Sequence, residues 1–300
     1  MGNTLRKYAD GHALWSVLLN LKRVINGYQP IFLDHPVEAT PRYGYGKPPH
    51  PELQAILAQN RAAYRELLNG VLDYSSELKA IPRRSSASSL DPCWLNEWYS
   101  GIDLVTYYSL IVSTNPRQLI EVGSGQSTKI ARRAVKAHQL QTKITSIDPQ
   151  PRAEIDQLCD AIVRKRLEDC DLKIFDSLNA GDLFFFDGSH RTFMNSDVTV
   201  FFLEILPRLK PGVLVHIHDI FLPDDYLPWW QQQFYPHRYW SEQYVLAASL
   251  LAGNKNFEVV LPNHYINTDP ELASILDPLW SAPELAGVSQ SGSSFWIRTI

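Results

Sequence analysis

Cysteine is scarce. The 300 residues hold three, Cys93, Cys159 and Cys170, with no C-x-x-C pair. So small and odd a set excludes a disulfide framework and a structural zinc site, and a reducing, cytoplasmic compartment is expected. Long apolar runs are missing too. The longest near the start, Ala13 to Leu21, is followed by Lys22-Arg23 rather than by a small-residue cleavage site. It falls far short of the ~20 residues that a bilayer span needs. It reads as a short amphipathic helix, and no membrane partner is expected. Nor is there an excess of positive charge: 28 Lys and Arg against 32 Asp and Glu leave a net charge of −4. That removes the electrostatic footprint of a general nucleic-acid binder. No internal repeat is present. What is plentiful is aromatic, with 8 Trp, 14 Tyr and 12 Phe in a chain that is 45% apolar. Large core layers are the plain consequence.

Two stretches differ in texture. Residues 1–92 read as a helical N-terminal extension with a linker. Within it, Leu53, Ile56, Leu57, Tyr64, Leu67, Leu68, Val71 and Leu72 recur at helical steps, which predicts a helix over 52–72. The Pro/Gly/Tyr-rich loop at 41–49 opposes regular structure, and Pro82 to Ser89 is the best linker in the chain. Residues 93–300 alternate helices with short apolar strands: helix 94–113, strand 118–122, helix 129–136, strands 143–147, 161–166 and 183–186, helix 197–206 with Ser196 as its cap, and strand 213–218. A helix at 243–251 and strands at 257–261 and 294–298 close the chain. Strands that are almost continuously apolar and separated by helices imply a parallel sheet covered on both faces.

The first strand runs into Glu121-Val122-Gly123-Ser124-Gly125-Gln126-Ser127-Thr128, and the second ends at Asp148, 23 residues beyond Gly125. Glycines after a strand let backbone approach a ligand, and the helix beyond offers free N–H groups. A carboxylate at the next strand end can accept both hydroxyls of a ribose. A dinucleotide fingerprint has a third glycine where Thr128 stands, and an acid at position 121 suits a ligand with positive charge and an amine.

These residues resemble the first motif of class I S-adenosylmethionine-dependent methyltransferases. Ser146-Ile147-Asp148, Leu183 to Asp187 and Leu209-Lys210-Pro211-Gly212 are similar to the later landmarks of that core. Phe186-Asp187-Gly188-Ser189-His190 and His218-Asp219 most resemble small-molecule O-methyltransferases of the macrocin and catechol types. The resemblance implies a Rossmann-like, doubly wound α/β fold with a mostly parallel sheet, a C-terminal antiparallel hairpin and the helical N-terminal extension. It implies S-adenosylmethionine as cofactor, held by Glu121, Gly123, Ser124, Gly125, Ser127, Asp148 and Asp187. A small-molecule hydroxyl is the implied acceptor. Oligomeric state is left open, a homo-oligomer included. Two rivals stand beside it: an NAD(P)-dependent oxidoreductase, and a non-catalytic ligand-binding module on the same fold.

Two chemistries fit the strand ends. Asp187, His218 and Asp219 can hold Mg²⁺ or Mn²⁺, which would acidify the acceptor hydroxyl. Alternatively no metal binds, and His190 or His218 acts as a neutral general base. His216, two residues from His218 on the strand, is expected to be a core histidine. The loop Tyr43 to Gly46 and the segment Tyr226 to Trp240 are candidate lids.

Overall fold

The computed structural model describes residues 21–27, 34, 40–86, 88–151, 153–232 and 239–300. The expected helix at 13–21 lies outside these residues except for its last position, and 233–238 of the second candidate lid lie outside them entirely. Two compact units are present. One comprises Met1–Arg42 and Leu227–Tyr239, where the described residues include a helical stretch at 21–25 and a short helix at Pro228–Gln232. The other comprises Tyr43–Tyr226 and Trp240–Ile300 and holds the sheet.

That sheet has seven strands: β1 (Gln118–Val122), β2 (Lys143–Ile147), β3 (Ala161–Val163), β4 (Leu183–Phe186), β5 (Leu214–Ile217), β6 (Phe257–Pro262) and β7 (Phe295–Thr299). Their spatial order is β3-β2-β1-β4-β5-β7-β6. The first five are mutually parallel, and β7 runs antiparallel to both β5 and β6. This is the Rossmann-like sheet with an antiparallel C-terminal hairpin. Its central strands are buried throughout, which is why they carry Leu-Ile-Glu-Val and Leu-Phe-Phe-Phe rather than an alternating pattern. Among the described residues no helix is long and apolar enough to cross a membrane.

The helices differ from the expected ones in three places. The single helix over 52–72 is two, α1 (Pro51–Ala58) and α2 (Arg61–Leu72), broken at Gln59-Asn60. Leu57, Tyr64 and Leu68 of these helices join the same apolar core as the sheet, so residues 43–92 pack into this unit. The helix expected from 94 begins only at Gly101, as α3 (Gly101–Thr114). A Cβ at Gly101, whose φ is +60°, would come within 2.2 Å of the Ser291 carbonyl oxygen, so the close approach of residues 289–291 fixes the start. Ser196 does cap its helix, with Oγ accepting from the Thr199 N–H at 3.2 Å, but regular α structure lasts only over Asp197–Val200 before a π-turn at Phe201–Ile205. α4 (Gln126–Ala137) follows the glycine turn, and α5 (Glu242–Leu251) precedes the hairpin.

Candidate functional site

The carboxyl ends of β1 and β4 lie side by side where the strand order reverses, the place where open α/β sheets take ligands. The turn after β1 is locked from below. Glu121 is fully buried, and its two oxygens accept from the Tyr107 hydroxyl at 2.9 Å and the Thr128 hydroxyl at 2.5 Å. Thr128 Oγ1 in turn accepts from the Gly125 N–H at 3.0 Å. Burial pushes the Glu121 carboxyl up to about 7, against the pull of its hydroxyl donors. Glu121 therefore shapes the turn from beneath it.

Above the turn the two glycines differ. At Gly123, with φ +77°, a Cβ would lie 1.9 Å from the Asp187 carbonyl oxygen. At Gly125 a Cβ would meet nothing within 4 Å. Beside that open space, Ser124 Oγ and Gln126 Oε1 are buried without a hydrogen-bond partner. Asp148 flanks the turn, accepting from the Ser124 N–H at 2.9 Å and the Gln150 N–H at 2.7 Å, with further lone pairs to spare. Ser127 is buried at the start of α4. An open cradle, two unsatisfied polar atoms and a carboxylate at its edge fit a nucleoside bearing an amino acid.

A second cluster stands beyond β4 and β5. Asp187, His218 and Asp219 each aim one ligand atom inward, all within 4.8 Å of one another. His218 Nδ1 lies 3.5 Å from Asp187 Oδ1 and 3.7 Å from Asp219 Oδ2, and it is buried with no hydrogen-bond partner. Its Nε2 points the other way, to Asp103 Oδ2 on α3 at 3.6 Å. Asp219 Oδ1 accepts from the Ser293 hydroxyl at 2.9 Å, which leaves Oδ2 for the cluster. His190 Nε2 sits 3.3 Å from Asp187 Oδ1, while its Nδ1 bonds Glu242 Oε1. An orphaned imidazole nitrogen between two carboxylates fits a divalent cation.

The carboxylates decide the charge of both imidazoles. His190 is buried, which alone would lower its pKa, yet Glu242 and Asp187 raise it to about 10. His218 is likewise held well above the ordinary histidine value, by Asp219, Asp187 and Asp103 against its burial. The facing carboxylates thus favour positive charge at both imidazoles, whether it is carried by a proton or by a bound cation. His216 behaves as a core residue. It is fully buried, stacks on Phe185 at 4.0 Å, and bonds Ser294 Oγ at 2.7 Å and the Tyr99 hydroxyl at 3.2 Å through Nε2. Burial lowers its pKa, so it stays neutral.

Asp103 and Glu242 are the site residues that sequence reasoning missed. Each is a solitary acid at the head of an apolar helix, and each is buried. An acid there reads as a solvent-facing first-turn residue. The one available signal was its company: Ile-Asp-Leu-Val leaves no polar face for Asp103 to join. Of the candidate lids, Tyr43 to Gly46 is fastened. The Tyr43 N–H donates to Asp225 Oδ2 at 2.9 Å, and the Tyr45 hydroxyl donates to the Asp225 carbonyl at 3.0 Å.

Residues 120–220 match the model of a methyltransferase domain family. No curated protein matches. Solved structures with a similar chain course include an O-methyltransferase from Bacillus cereus in complex with SAH, at 12% identity, with 78% of this chain and 90% of that one covered and a TM-score of 0.39. An SAH-bound methyltransferase from Podospora anserina shares 13% identity over 86% of this chain and 100% of that one, with a TM-score of 0.40. A plantazolicin methyltransferase in complex with SAH shares 13% over 76% and 98%, with a TM-score of 0.39.

Proposed function

We propose that this chain, which carries a methyltransferase domain across residues 120–220, methylates a hydroxyl of a small molecule from S-adenosylmethionine, with a divalent cation at Asp187, His218 and Asp219. The observation that carries this reading is the adjacency of the two constellations. The cradle in front of Gly125 and the ring of carboxylates and imidazoles meet at Asp187, whose backbone N–H bonds Val122 and whose side chain faces His218.

The residues divide the work. Gly125, Ser124, Ser127 and Gln126 would receive the amino-acid end of the cofactor, and Asp148 its ribose hydroxyls. Glu121 keeps the turn in shape for both. When bound, the cation would bind the acceptor oxygen and lower its pKa. Asp187 is the most open of its ligands, with 32% of its side chain exposed against 8% for His218, so the acceptor enters from its side. Holding acceptor and methyl group in line supplies most of the rate. The metal-free alternative, in which His190 or His218 takes the hydroxyl proton, is separated from this reading by turnover that survives chelation.

The test is calorimetric titration of the full chain with S-adenosylmethionine, its demethylated product and NAD(P)H. Micromolar binding of the first two is expected. Binding of NAD(P)H alone would replace the reading with an oxidoreductase, and binding of none would leave a non-catalytic module.

A further inference from the structure

Each imidazole of the cluster has one nitrogen turned outward to a buried carboxylate and the other turned inward. His190 gives Nδ1 to Glu242, and His218 turns Nε2 to Asp103. The inward atoms, His190 Nε2 and His218 Nδ1, face the same two oxygens, Asp187 Oδ1 at 3.3 and 3.5 Å and Asp219 Oδ2 at 3.7 and 3.7 Å. The outward N–H of His190 on Glu242 fixes the tautomer whose inward nitrogen carries a lone pair, as in metal-bound histidines, and His218 is turned the same way, with Asp103 at 3.6 Å, just beyond hydrogen-bond length. The outward acids are themselves anchored or enclosed. Asp103 accepts from Asn263 Nδ2 at 2.8 Å and from the Ser293 and Ser294 N–H groups at 2.8 and 2.9 Å, and Glu242 is fully buried. The Trp240 ring lies 4.0 Å from that of His190 and fixes its plane. His190 and Asp219 both hold left-handed backbone, with φ +61° and +57°, a conformation that costs a non-glycine residue free energy and collects at functional sites. Among the described residues none of the four carboxylates pairs with Lys or Arg. Their negative charge is opposed by the two imidazoles alone, and a metal ion held between the inward nitrogens would take over that role.

We infer that His190 is a fourth ligand of this centre, so that Asp187, His190, His218 and Asp219 form a two-histidine, two-carboxylate site that prefers Co²⁺ or Zn²⁺ to Mg²⁺, with Glu242 and Asp103 as positioning residues. The inference rests on the metal site of the reading above and goes further in ligand number and metal choice. Mg²⁺ takes oxygen ligands and keeps its waters, whereas imidazoles favour the later transition metals.

The experiment uses the full chain, stripped with chelator and reloaded with one metal at a time. In wild type carrying Mn²⁺ as a spin probe, electron spin-echo modulation is expected to count two imidazole nitrogens, and His190→Ala or His218→Ala to leave one. Calorimetry is expected to give Co²⁺ or Zn²⁺ at least 100-fold tighter binding than Mg²⁺. Glu242→Gln should weaken binding about 10–100-fold without changing the nitrogen count. A count of one in wild type, or equal affinity for Mg²⁺ and Co²⁺, overturns the inference while the three-residue site stands. Wild type that binds none of these metals overturns both. The wild-type count needs no variant, so a misfolded His190→Ala leaves the test intact.

Discussion

A Cβ at residue 123 would stand 1.9 Å from the carbonyl oxygen of Asp187, so Gly123 is where the ends of β1 and β4 touch. Both its φ of +77° and that contact exclude a side chain, while Gly125, two residues on, faces open space. The two glycines therefore fail differently. Gly123→Ala is expected to destabilise the fold by roughly 2 kcal/mol or more, from left-handed backbone and forced strand separation together. Gly125→Val is expected to leave the unfolding midpoint within a few degrees and to abolish S-adenosylmethionine binding. Denaturant unfolding and calorimetry on both variants check this. Equal loss of stability in both would remove the distinction.

Asp148 already works without a ligand, since it holds the Ser124 and Gln150 N–H groups. Asp148→Ala is expected to weaken S-adenosylmethionine binding by roughly 1–3 kcal/mol, the cost of leaving buried hydrogen-bonding groups unpaired. Asp148→Asn, which keeps one acceptor oxygen, should fall between. Calorimetry that ranks all three proteins alike would dissociate Asp148 from the cofactor.

How far such detail could be read in advance depended on its range. The strands were legible because burial on both faces writes itself as a continuous run, as in Leu183 to Phe186. Gly123, Gly125, Asp148, Asp187, His218 and Asp219 were legible because strand ends are marked by neighbours in the chain. The break between α1 and α2 was not, since Leu57 and Tyr64 keep helical spacing across it. The late start of α3 depends on residues 289–291, nearly two hundred positions away. Separation along the chain also hid Asp103 and Glu242, whose partners, His218 and His190, stand on other segments.

The buried carboxyl of Glu121 should appear in the pH dependence of stability. Its folded-state pKa is raised to about 7 from an ordinary 4.5, so the native state binds the proton more tightly than the unfolded chain does. The resulting stabilisation is complete below about pH 4.5 and is lost as pH rises through about 7. That shift corresponds to about 3 kcal/mol. Glu121→Gln keeps a carbonyl for Tyr107 and removes the titration. Denaturant midpoints of wild type and variant between pH 5 and 8 should therefore diverge, with wild type losing stability relative to Glu121→Gln as pH rises. Parallel curves would show that Glu121 ionises freely in the folded protein.

Metal removal tests the second constellation without an acceptor. A dication that binds only the folded chain stabilises it by mass action, about 2.7 kcal/mol at a free concentration a hundredfold above its Kd. In a chain of this size that moves the melting temperature by about 5 °C. Melting of the chelator-treated protein should rise by that amount on adding back metal, and the rise should disappear in Asp187→Asn and Asp219→Asn. The readout is the metal-induced rise itself, because each variant also loses a carboxylate that faces the imidazoles and so starts from its own metal-free melting temperature. Losing a merely structural carboxylate leaves that rise intact, whereas losing a ligand removes it. Melting that is indifferent to metal in wild type would remove the cation from the site.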